Sequence, residues 1–91
     1  MSHTNMEITR TVERLIRKNV AKARDRKRFM DHWDLRADLE AHDLDILQLV
    51  MDIEDEFTLD ITDEEAEGLK CVGDCILIAC AKVAAQEEAA A

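Results

Sequence analysis

Asp38-Leu39-Glu40-Ala41-His42-Asp43-Leu44-Asp45-Ile46-Leu47-Gln48-Leu49-Val50-Met51-Asp52-Ile53-Glu54-Asp55-Glu56-Phe57 reads as a loop that enters a helix at Asp43 and runs to Phe57. Asp43 is the expected N-cap, because a carboxylate there accepts from the first free backbone N–H groups. Asp45 adds negative charge in the first turn, where the helix dipole favours it. Ile46, Leu49, Val50, Ile53 and Phe57 follow helical spacing and form one apolar face. Leu44, Leu47 and Met51 form a second, with Gln48, Asp52, Glu54 and Asp55 between. One stripe suffices to bury a helix in a small bundle. The second, bordered by acids, predicts a surface kept for something other than the core.

The flanking sequence is also helical. Ile8, Val12, Leu15, Ile16 and Val20 recur at helical spacing. They predict a first helix from about Asn5 to Ala23, opened by a Thr4/Glu7 capping box, with Arg10, Glu13, Arg14, Arg17 and Lys18 on its solvated side. Residues 24–42 form a long connection that needs anchors of its own, and Phe29, Met30, Trp33, Leu35 and Leu39 are the candidates. After a turn over 58–61, Thr62 and Glu65 form a second capping box that opens a short third helix, ending near Gly68. The last helix is expected from Cys71 to about Ala85, buried along Val72, Cys75, Ile76, Ala79, Cys80 and Val83. Short disordered tails are expected at 1–4 and 86–91, although the alanine-rich end also reads as a weak continuation of that helix.

Composition agrees with an all-α domain. The 91 residues are 47% apolar, with no Pro, no Tyr and two Gly. This length supports one domain, burying about 60–65% of its unfolded surface. No apolar run approaches the roughly 20 residues of a membrane span. The N-terminus lacks a signal-like apolar core, so a cytoplasmic location is expected. The net charge of −9 divides unevenly: residues 1–36 hold ten Lys/Arg and five Asp/Glu (+5), residues 37–91 two and sixteen (−14). An acidic surface of this kind disfavours nucleic acid and steers basic partners inward. The basic run Arg24, Arg26, Lys27 and Arg28 is expected to pair with acids of its own chain; docking an acidic protein and touching phosphates are the lesser alternatives.

The 38–57 segment resembles acyl carrier proteins, which carry a pattern close to Asp-Leu-Gly-Ala-Asp-Ser-Leu-Asp followed by an acidic helix ending in Glu-Glu-Phe. Asp38-Leu39-Glu40-Ala41-His42-Asp43-Leu44-Asp45 is similar to it. Leu49-Val50-Met51, Glu54-Asp55-Glu56-Phe57 and Ile61-Thr62-Asp63-Glu64-Glu65-Ala66-Glu67 continue the likeness. It is strong from Leu35 to Leu69 and extends to about Glu7 and Lys82. The resemblance implies a four-helix bundle of the acyl-carrier type with a long loop between helices one and two. It also implies a small acyl pocket lined by Ile53, Leu59, Ile76 and Ala79.

At one place the likeness fails. The serine that carries the phosphopantetheine arm in that family falls on Asp43, and the aspartate before it on His42. A carboxylate cannot form the serine phosphodiester, and the only serine in the chain is Ser2. Phosphopantetheine is therefore expected to be absent. Asp43 also places a fixed negative charge close to where the family's diester would stand, so partners that read that charge would accept an armless mimic.

Three functional expectations follow. The first is an acyl-carrier-protein-like interaction module without an arm. It docks basic partner proteins, acyl-carrier-dependent enzymes among them, through Leu44, Asp45, Leu47, Gln48, Met51, Glu54 and Asp55. The second is an ordinary acyl carrier in fatty acid, polyketide or related lipid biosynthesis, which Asp43 opposes. The third is a metal or redox protein built on Cys71, Cys75 and Cys80. A structural zinc site needs four ligands where Cys71 and Cys75 supply two, and core packing explains small, soft cysteines. EF-hand spacing is absent, so no metal site is expected. Neither is enzymatic activity, since no nucleophile, base and oxyanion donor assemble from these residues.

Overall fold

The computed structural model describes residues 4–90. The parts of the expected tails at 1–3 and at Ala91, with Ser2, lie outside these residues. Helical periodicity becomes four α-helices: α1 (Asn5–Asn19), α2 (Asp43–Phe57), α3 (Asp63–Glu67) and α4 (Val72–Ala90). Among the described residues there is no strand, only one isolated bridge between Asp34 and Cys71. No helix among them is long and apolar enough to cross a membrane.

Both helical stripes assigned to the core are buried. Ile8, Val12, Leu15, Ile16 and Val20 meet Ile46, Leu49, Val50, Ile53 and Phe57 of α2, with Val72, Cys75, Ala79 and Val83 of α4 completing one cluster. α1, α2 and α4 pack against one another, and α3 bridges, tied to α4 by Lys82–Glu65 at 2.8 Å. Ile76 and Cys80, expected inside, are only half-buried at the cluster's margin. α4 is apolar on most of its circumference, so its sequence marks the buried side poorly.

Several boundaries differ from expectation. α1 stops at Asn19, where Val20 turns extended, and Ala21–Ala23 form a separate 3-10 turn. Thr4 accepts from the Glu7 N–H at 3.1 Å, which is the serine/threonine half of the expected box. The Thr62/Glu65 box is complete. Gly68 ends α3, but with φ −79°, so it is not used for a left-handed turn. Residues 86–90 continue α4. Gln86 there donates to the Thr58 carbonyl at 2.9 Å, binding that end of the helix to the end of α2.

The 24–42 connection is fastened by backbone. Leu35 N–H donates to Lys70 O at 2.9 Å, Val72 N–H to Trp33 O at 3.0 Å, and Gly73 N–H to Asp31 O at 2.8 Å. These bonds pair the loop with the end of the α3–α4 link and the first two residues of α4. A Cβ at Gly73 would stand 3.1 Å from both Cβ and O of Asp31, so this close approach calls for glycine. Asp34 Oδ1 accepts from Arg36 and Ala37 N–H at 2.8 and 2.7 Å, closing a tight turn. That turn sends Leu35 and Leu39 into the core. Met30, expected to anchor the loop, is 54% exposed; the anchors are Phe29, Trp33, Leu35 and Leu39.

Asp74 caps α4. Its Oδ2 accepts from Lys70 and Cys71 N–H at 3.0 and 3.2 Å. These bonds, the one from Lys70 first, hold the carboxyl below the ordinary aspartate value. A depressed carboxyl stabilises the fold above its unfolded pKa and loses that contribution as pH falls through the folded value. Asp74→Ala should therefore cost about 1 kcal/mol at pH 7. The gap to the parent should close as pH drops well below 3.8, the ordinary value. Urea midpoints of both proteins across that range check this; a gap that stays constant with pH would contradict it.

Candidate functional site: the outward face of α2 and the α2–α3 groove

α2 begins one residue beyond its real cap. His42 is the extended N-cap residue and Asp43 the first helical one, which corrects the expectation that Asp43 caps the helix. Asp45 reaches back and accepts from the His42 N–H at 2.9 Å. That bond frees the Asp43 side chain from the backbone, and it pairs instead with Arg36 of the loop. The charge of Asp43 at the start of α2 is thus countered by a guanidinium. The pair is highly exposed, and exposed pairs contribute little to stability.

The second apolar stripe faces solvent. Leu44 is 73% exposed, Leu47 56% and Met51 47%. Gln48 and Asp55 also lie outside. Two residues placed on this surface by spacing turn out to serve the fold. Asp45 caps the helix. Glu54 accepts from the Ile61 N–H at 3.0 Å and so holds the turn that follows α2. The turn itself has Thr58 in the left-handed region at φ 55°, while Leu59 N–H closes onto Glu54 O at 2.9 Å.

Asp52, set by spacing among the polar residues between the two stripes, faces α1. It accepts from Asn19 at 2.8 Å and Gln48 at 3.1 Å, with Lys18 at 3.3 Å. Chiefly the Asn19 bond lowers its pKa. Arg14 pairs with Glu56, so part of the charge of α2 is absorbed by the basic side of α1.

Beside the stripe lies a groove of about 360 Å³ between α2 and α3. Ile46, Leu47, Val50, Met51, Ile61 and Ala66 supply its apolar lining. Asp43, Glu54, Asp63 and Glu67 stand around it with one cation, Arg36. Sequence reasoning missed this groove, because it depends on the angle at which α3 returns towards α2.

The four residues expected to line an acyl pocket all join the core cluster. Ile53 and Ala79 are fully buried in the packed core, and Ile76 sits at its margin. Leu59 edges a separate hollow of about 390 Å³, shared with Glu54, Asp55, Thr58 and Asp60. They do not converge on the α2–α3 groove.

The cysteines do not converge either. Cys75 is fully buried, and burial pushes its thiol up to about 12, leaving it protonated at neutral pH. Cys71 and Cys80 are half-buried and free. No group of three or more His, Cys, Asp or Glu among the described residues is placed to hold a metal ion.

The two faces of α2 should separate under mutation. Leu44→Ser and Leu47→Ser should each shift stability by less than about 0.5 kcal/mol. Leu49→Ala, which empties a fully buried site, should cost about 3 kcal/mol. Thermal and urea unfolding check this; a large loss from Leu47→Ser would place the stripe inside the fold. No protein-family model matches this chain.

Proposed function

We propose that the chain is an acyl-carrier-protein-like interaction module that lacks the phosphopantetheine serine and docks basic partner proteins through α2. The observation that carries this reading is the exposed Leu44–Leu47–Met51 stripe beside an apolar groove with acids around it. Three large apolar side chains left in water on one helix face mark an interaction surface more than a fold requirement. Acidic groups on its border favour partners with basic patches and speed their encounter. Leu44, Leu47, Gln48, Met51 and Asp55 form the contact set, and Asp45 and Glu54 support it from within the fold. The resemblance between 35 and 69 supplies the partner class, namely enzymes that act on acyl carriers.

The competing reading, an ordinary carrier in lipid biosynthesis, needs an attachable hydroxyl where this chain has Asp43. Two measurements test the proposal. Co-expression with a phosphopantetheinyl transferase should leave the intact mass unchanged, and a gain of one arm would restore the carrier reading. Binding to a carrier-dependent enzyme with a basic docking patch should weaken about tenfold in Met51→Glu, given about 1.4 kcal/mol for loss of a central apolar contact. Affinity equal to that of the parent would remove α2 from the interface.

A further inference from the structure

The basic run of the first loop is not consumed by the fold. Arg24, Arg26, Lys27 and Arg28 stand with a single acid, Asp25, in five exposed residues, four positive charges against one negative. They were expected to pair with the acidic part of the chain. The structure corrects this: the described ion pairs use Arg14, Lys18, Lys22, Arg36 and Lys82, and none uses the run. Lys22, two residues before the run, is already paired with Glu40.

The run is nevertheless held in place. Arg17 of α1 donates to the Arg26 carbonyl at 2.7 Å and the Lys27 carbonyl at 3.1 Å. Its guanidinium also lies 4.7 Å from the centre of the Phe29 ring. Arg26 N–H closes onto Ala23 O at 3.0 Å, and the Arg26 side chain lies over Trp33 at 5.2 Å. Phe29 and Trp33 meet edge to face at 6.2 Å and pack on the core. Met30, 54% exposed, provides an apolar point directly after the cations. A loop fixed before binding has less ordering cost to meet on association.

We propose that residues 24–30 are a preformed docking surface for a short acidic, partly apolar segment of another protein. Carboxylates of that segment meet Arg24, Lys27 and Arg28, and an apolar side chain meets Met30. The charge distribution favours this occupant over a nucleic acid. The run spans at most about 17 Å, on a molecule 40 × 27 × 20 Å in extent. A long polyphosphate would leave the patch and meet the −14 charge of residues 37–91, whereas a short acidic segment ends before it. This surface is independent of the α2 reading and takes the opposite charge.

The test follows backbone amide shifts of the whole chain by NMR during titration with a short peptide of glutamate and leucine, and separately with a DNA oligonucleotide of equal charge. The peptide should move amides of 24–33 while leaving α2 and α3 unmoved, and its affinity should fall as salt rises. Arg24→Glu, Lys27→Glu and Arg28→Glu combined should weaken it about tenfold. These three side chains make no ion pair among the described residues, and the matching Gln variant reads the same loss at a smaller step. Shifts at α2, no shifts at all, or tighter binding of the oligonucleotide would each overturn the proposal. So would movement of the 24–33 amides with protein concentration alone, which would assign the loop to a second copy.

Discussion

Three backbone hydrogen bonds fasten the first loop to the end of the α3–α4 link and the first residues of α4: Leu35 to Lys70, Trp33 to Val72, and Asp31 to Gly73. A connection of this length would otherwise carry many unpaired backbone groups and a large ordering cost. Paired at its middle, it is held against the start of α4. Leu35 and Leu39 enter the core from it, Arg36 is carried to the start of α2, and the cationic run is left on the outside. The position of each surface residue thus rests on main-chain contacts that no side chain announces.

The same arrangement explains how a chain of net charge −9 keeps two separate electrostatic characters. α1 spends its cations on α2, through Lys18 to Asp52 and Arg14 to Glu56, while α4 holds α3 through Lys82. What remains unpaired over residues 24–28 is net positive, and the α2–α3 side is mainly negative. With both Arg36 and Asp43 engaged, the mouth of α2 is closer to neutral than its sequence indicates.

The helical stripes of α1 and α2 were legible because period and burial agree there residue for residue. The second stripe of α2 was legible for the same reason, as apolar positions that the first had made superfluous. The failures have a common physical origin. An acid inside an acidic run does not declare its direction, so Asp52 and Glu54 were read as outward when neighbouring elements draw them in. Asp43 suits a cap by its side chain, yet the extended residue is His42, whose N–H bonds to Asp45. The groove and the loop fastening depend on how elements meet, which local spacing cannot report. In α4, Leu77 is as apolar as its buried neighbours yet 68% exposed. The partner class rests on the resemblance alone.

Cys75 has a further consequence. Its sulfur lies where α4 meets the rest of the core, wholly shielded and protonated, so a thiol reagent reaches it only when that packing comes apart. The rate at which an alkylating reagent consumes it under native conditions therefore counts openings of the folded state. The chain carries its own clock for transient unfolding, wound by burial alone and readable without any added probe group.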